Sequence, residues 1–192
     1  MELDDPTALA LLAADALRRA GIDHALYGGL LLAAYGEARE TRDADMAVAG
    51  ANATEAARAL ETTGLRTTIA LERARFGGLW LSRVALVGGV DGSDLNTLDL
   101  VEPLSPAYAR RALDRALDST LRGQVIRLLT PEDFVVFKVL STRDKDLDDA
   151  ASVLATLGSE IDRERIEAEI LGLQEDVPDH PVVERWRRTG SR

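Results

Sequence analysis

Asp43 and Asp45 stand two residues apart in the stretch "RDADMAVAG", a spacing that can hold a divalent cation. In a strand, residues i and i+2 project from one face, so the two carboxylates would lie side by side. Like charges held together repel unless a cation sits between them, and hard carboxylate oxygens suit Mg²⁺. A solvated turn is the plainer reading of a lone D-x-D, and the residues upstream weigh against it. Gly28 and Gly29 open the apolar run "GGLLLAAYG", with thirteen residues between them and Asp43. Paired glycines at a strand-to-helix junction let the backbone approach a ligand, and amides at a helix N-terminus favour a phosphate. Alone, the glycines would suit a tight turn equally well. Followed by the acidic pair, they supply both halves of a metal–nucleotide site in order.

Two-metal phosphoryl transfer needs a third carboxylate on a neighbouring strand, to bridge the metals and accept the attacking hydroxyl's proton. Asp99, flanked by leucines in "NTLDLVEP", is the candidate, with Asp91 and Asp94 of the turn-like "GVDGSD" as the bland alternatives. One or two Mg²⁺ ions on Asp43, Asp45 and Asp99, with a nucleoside triphosphate as substrate, are therefore expected.

The elements that must position these groups are legible in outline. Residues 7–20 read as a helix closed by Gly21, and "DHALYGG" as a short strand running into the glycines. "LLLAAYG" reads as a buried helix, "DADMAVAG" as a strand and "NATEAARALETTG" as a capped helix. "LRTTIAL", "GLWLSRVALVGG" and "LNTLDLV" are strand-like, "SPAYARRAL" is a short helix, and "LDSTLRGQVIRLL" turns as a hairpin near Gly123. Thr130, Pro131 and Asp133 then open a helix in capping-box fashion, "STRDKDLDDAASVLATLG" predicts a second with its own Ser or Thr cap, and "DRERIEAEILGL" a third. The basic tail "RWRRTGSR" reads as a solvated end. The expectation is an α/β (α+β) core, a mixed sheet with flanking helices, over residues 1–129, and a helical region packed on it over 130–192.

Composition narrows the chemistry. The 192 residues contain no cysteine and two histidines, which removes disulfides, thiolate zinc and a cysteine nucleophile, and leaves little for a histidine metal site. A net charge of −10 argues against a long duplex-tracking groove. The start "MELDDPTALA" has no basic n-region and no stretch reaches the length of a membrane span, so a cytoplasmic protein is expected, with no membrane partner.

The run Gly28-Gly29, Gly36, Arg39, Thr41, Asp43 and Asp45 resembles the signature of DNA polymerase β-like nucleotidyltransferases. It is most similar to the AbiEii/MenT-like branch, the toxins of type IV toxin–antitoxin systems, whose G-x-x-R-x-T-x-D-x-D pattern appears here as "GEARETRDAD". That branch also carries a downstream lysine and an R-x-K-D element, matched by Lys138, Arg143, Lys145, Asp146 and Asp149. Tyr35 departs from it where many relatives carry histidine, and Leu30 and Leu31 replace small residues. The resemblance implies that Asp43, Asp45 and Asp99 hold metal, with Asp99 helping to deprotonate the acceptor. It further implies that Gly28, Gly29, Thr41, Lys138, Arg143 and Asp146 serve the nucleotide, Lys138 and Arg143 offering cations to the triphosphate. Arg39 either clamps a phosphate or pairs with an acid such as Asp146. The implied acceptor is a tRNA 3′ end, with a cognate antitoxin as partner. A small antibiotic-type hydroxyl acceptor is the alternative, and a non-catalytic nucleotide- or protein-binding module of the same fold is a third.

Overall fold

Asp5 accepts hydrogen bonds from the Thr7 and Ala8 amides and so caps α1 (Pro6–Arg19), whose proline at the first position needs no amide partner. The computed structural model describes residues 5–88 and 94–190. The short β1 (His24–Tyr27), buried along its whole length, runs directly into α2 (Gly28–Tyr35). β2 (Ala44–Val48) follows after a loop, and Asn52 and Glu55 form a reciprocal capping box on α3 (Ala53–Glu61). The long strands β3 (Arg66–Phe76), β4 (Leu79–Gly88) and β5 (Asp94–Pro103) come next. Then follow α4 (Pro106–Asp114) and the hairpin of β6 (Leu117–Leu121) and β7 (Gln124–Leu128), which turns at Gly123 with φ +78°.

These strands form one mixed sheet in the order β3-β4-β5-β2-β1-β7-β6. The pairs β2/β5 and β1/β7 are parallel and the others antiparallel. The α+β fold and its mixed sheet are therefore as expected. Asp91 lies outside the described residues, while Asp94 begins β5 rather than standing in a turn.

Beyond the last strand the described chain is helical: α5 (Pro131–Leu140), α6 (Asp144–Leu157), α7 (Arg163–Asp176) and α8 (Val182–Thr189). Thr130 caps α5 through the Asp133 amide. The buried apolar residues from Leu9 in α1 to Val182 in α8 form one continuous core, in which Phe134 and Phe137 of α5 pack against Tyr27 of β1. Among the described residues no helix is long and apolar enough to cross a membrane.

Two local expectations are corrected. No side-chain cap bond closes α6, because the helix begins at Asp144 with Arg143 at its N-cap, while the Ser141 hydroxyl accepts a hydrogen bond from the Arg143 amide and donates to the buried Asp146 carboxylate. In the basic tail Arg187 and Arg188 are exposed as expected, but the first arginine is not. Arg185 of α8 is buried and donates to the carbonyls of Val139 and Arg143, tying the last helix to the junction between α5 and α6.

Candidate active site

The strand register assembles the site. Tyr27 pairs with Asp45 across β1/β2, Asp45 with Asp99 across β2/β5, and Asp99 with Arg83 across β5/β4. Directly paired residues share a face, so the four side chains form a row across four strands. Asp43 stands one residue before β2, in the bend that leads into it.

The glycine pair serves this row by keeping out of its way. A Cβ on Gly28, whose φ is +72°, would fall 1.9 Å from Asp45 Oδ2. One on Gly29 would fall 2.8 Å from Thr41 Oγ1. Gly28 is thus required twice, for its left-handed backbone and for the space that the carboxylate fills. Thr41 packs on the second glycine, which accounts for both positions without a ligand.

Asp45 accepts no hydrogen bond and makes no ion pair among the described residues, although it is half-buried. Burial, then the neighbouring Asp99, and less strongly Asp43, push its carboxyl up to about 7 against the opposing charges of Lys138 and Arg143. Asp99 is held differently. Arg83 Nε and Nη2 donate to its two oxygens at 2.6 and 2.7 Å, a bidentate fork. That pairing is the leading cause raising the Arg83 pKa. Arg83 also lies 4.0 Å from Asp43 Oδ2, so its guanidinium stands between the first and third expected metal ligands. Among the described residues no three carboxylates or histidines are close enough together to hold a metal ion. The donor chemistry of Asp43 and Asp45 nevertheless fits a hard divalent cation: two carboxylates, one of them half-buried with no donor of its own. Asp99 fits as a further ligand once Arg83 releases it.

The second motif forms a buried ionic cluster behind the row. Lys138 is 1% exposed and donates to Asp146 Oδ1 at 2.9 Å and Asp149 Oδ2 at 2.8 Å. Its ammonium lies over the rings of Tyr27 and Phe134. Burial would lower its pKa, but Tyr27, Asp146 and Asp149 together raise it, so it stays charged. Arg39 donates from Nε and Nη2 to Asp149 at 3.3 Å, so its acid partner is Asp149 rather than Asp146. Arg143 donates to Asp146 Oδ2 at 2.8 Å and lies over Phe76.

A cavity of about 160 Å³ joins the two motifs. Asp45, Asp99, Arg83, Arg143 and Ser141 supply its polar wall, while Tyr27, Phe76, Leu79, Leu81 and Val101 supply the rest. Of the residues expected from sequence, Asp45, Asp99 and Arg143 therefore line one space, with Gly28 beneath Asp45. Lys138, Asp146 and Arg39 stand behind that wall in a cluster that Asp149 joins, pairing with both Lys138 and Arg39.

A family model described as "Nucleotidyl transferase of unknown function (DUF2204)" matches residues 8–187. The chain belongs to this family. Membership carries the reaction class, nucleotidyl transfer. Among solved structures, the chain is similar to an antigenic nucleotidyltransferase-like protein from Paracoccidioides brasiliensis, at 20% identity and a TM-score of 0.53, over 92% of this chain and 90% of that one. That likeness is one of fold. The antibiotic-resistance factor ANT(2″)-Ia in solution matches at 15% identity and a TM-score of 0.49, over 91% and 97%. ANT(2″)-Ia in complex with adenylyl-2″-tobramycin matches at 16% and 0.47, over 84% and 92%. No curated protein matches.

Among the lining residues of this nucleotidyl transferase that the sequence reading does not single out are Arg83, Phe76 and Ser141. A signal exists for Arg83. It shares strand parity with Leu79, Leu81, Ala85 and Val87 in "LWLSRVALV", so a charge interrupts an otherwise apolar face. Ser141 and Phe76 carry no such signal, since Ser141 follows α5 and Phe76 ends β3, and the two meet at one cavity only in the folded chain.

Proposed function

We propose that the protein transfers a nucleoside monophosphate from a nucleoside triphosphate to an acceptor hydroxyl, with Mg²⁺ on Asp43 and Asp45. The observation that carries this reading is Asp45, a carboxylate with no donor among the described residues, packed on Gly28 and facing Asp99 across a parallel strand pair. The cation would supply charge neutralisation at the phosphates and activate the attacking oxygen. The acceptor oxygen forms a bond to the α-phosphorus, the bond from that phosphorus to the β-phosphate bridging oxygen breaks, and pyrophosphate leaves. Asp99 takes the hydroxyl proton. Arg143, oriented by Asp146, faces the phosphates, and Lys138 positions that pair from behind. The N-terminal amides of α2 lie beside Asp45 and would add their partial positive charge to the same site.

The order of the motifs supports an RNA 3′ end, tRNA above all, as the acceptor, in the manner of an AbiEii/MenT-like toxin with a cognate antitoxin. A specific observation favours a small-molecule acceptor as the second reading. The cations around the site are already engaged: Arg39 with Asp149, Arg73 with Glu102, Arg75 with Asp179, and Lys138 and Arg143 with Asp146. A rim neutralised in this way attracts a polyanion weakly.

The test is incubation with each α-labelled nucleoside triphosphate, Mg²⁺, and either total RNA or a panel of hydroxyl-bearing small molecules. Label on RNA that Asp45→Asn abolishes supports the RNA reading, and label confined to a small molecule moves the acceptor to the second. No transfer to either, with wild-type protein that binds metal and nucleotide, overturns the enzymatic reading in favour of a binding module.

A further inference from the structure

Arg83 is paired with Asp99 more tightly than a surface ion pair requires. Both oxygens of Asp99 are taken, at 2.6 and 2.7 Å, and Asp99 itself is only 5% exposed. The guanidinium, by contrast, lies at the edge of the cavity with its side chain 39% exposed, and its next ion-pair partner among the described residues is Asp43 at 4.0 Å. One end of the pair is therefore fixed in the sheet and the other can swing. The positive charge sits where three carboxylates need one, between Asp99 and Asp43.

We infer that Arg83 stands in for the divalent cation in the unliganded protein and leaves Asp99 for the triphosphate when metal and nucleotide bind together. The inference rests on the metal reading of Asp43 and Asp45 given above. It assigns Arg83 a positioning role that nothing in the two sequence motifs contains. An ion on Asp43 and Asp45 alone competes with Arg83 for Asp99 and gains little, because two positive charges would then share one site. An ion arriving with a triphosphate brings excess negative charge, and the released guanidinium, a planar five-donor fork, matches phosphate oxygens as well as it matched the carboxylate. Asp99 is freed in the same event, both as a metal ligand and as the acceptor of the hydroxyl proton. Metal and nucleotide thereby become mutually dependent ligands. Each raises the other's affinity by the same factor, and Arg83 carries the coupling.

The distinguishing property is a change of opposite sign in two affinities. Arg83→Gln, which keeps a polar side chain but removes the charge, should bind Mn²⁺ alone more tightly than wild type. It should also lose most of the gain that a nucleotide gives. A change of about tenfold in each direction is expected, within the ordinary range of coupling between sites. Mn²⁺ binding is read by water-proton relaxation or calorimetry, with and without α,β-methylene analogues of the common nucleoside triphosphates. Arg83→Lys, which retains charge without the fork, should fall between the two, and a melt without ligand checks that each variant is folded. A residue of purely structural importance would weaken Mn²⁺ binding in both conditions, and that result overturns the inference. Mn²⁺ affinity unchanged in Arg83→Gln, while Asp43→Asn loses it, also overturns the inference but leaves the metal reading standing. No Mn²⁺ binding to wild type even with every analogue present overturns both.

Discussion

Asp45 faces Asp99 across the β2/β5 pair and accepts no hydrogen bond among the described residues. Asp45→Asn therefore removes a repulsion and a metal ligand in one substitution. The melting temperature should hold or rise, while transfer should fall by more than about 100-fold, the upper end of the loss when a metal site loses an outer-shell partner. A circular-dichroism melt and a labelled-nucleotide assay on the same preparation check both halves, and an unfolded variant would make the aspartate structural. At this scale the acids were legible because their spacing is local: Asp43 and Asp45 are two residues apart, and Asp99 interrupts a run of leucines. The grip of Arg83 on Asp99 was not legible. Their sixteen-residue separation becomes a contact only through the antiparallel register of β4 and β5.

The junction between α5 and α6 concentrates charge in the interior. Lys138, Asp146 and Asp149 are all buried, and Ser141 and Arg143 complete the acid's hydrogen bonds. Lys138→Met removes a cation from between two buried acids. That should lower the unfolding free energy by about 3–5 kcal/mol, as breaking a buried pair does, read as an earlier urea midpoint at unchanged slope. Burial would raise the Asp146 carboxyl, but Lys138, Arg143 and Ser141 outweigh it and lower the pKa to about 2. A depressed carboxyl stabilises the fold above its unfolded pKa, and that contribution disappears as pH falls through the folded one. The stability on the order of 2 kcal/mol that follows from lowering 3.8 to about 2 is thus present at neutral pH and lost between about pH 4 and pH 2. Urea unfolding across that window should show the decline in wild type and a flatter profile in Asp146→Asn. The caps of α3 and α5 were legible as Asn52 and Thr130, while Asp5 and Ser105 cap α1 and α4 without having been read as caps. The cap of α6 was misread because that helix begins only at Asp144, beyond Ser141 and Thr142, and α8 because Arg185 takes its partners from carbonyls more than forty residues away.

Over the whole chain the charge is −10, and most cations near the site already have acidic partners. The unliganded protein therefore carries excess negative charge around its carboxylate row, and a divalent ion with a nucleotide should relieve it. Mg²⁺ together with a non-hydrolysable nucleoside triphosphate should raise the melting temperature by more than the two separate increments added. At a hundredfold excess over Kd the stabilisation would reach about 2.7 kcal/mol. Differential scanning fluorimetry with each ligand alone and with both decides the point, and strict additivity would speak against a shared site. One further contact sets how this whole assembly can move. The Gly78 amide donates to the Leu140 carbonyl at 2.9 Å, and a side chain on either Gly77 or Gly78 would strike Leu140. The tip of the β3–β4 hairpin is thereby clasped onto the end of α5, beside the Phe76 and Ser141 walls of the cavity. A single amide thus becomes a reporter of the clasp. In the free protein the Gly78 proton should exchange with solvent only on global unfolding, at a rate matching the slowest core amides. Exchange faster than that would reveal a hairpin that unlatches on its own, and with it an enzyme that breathes before it binds.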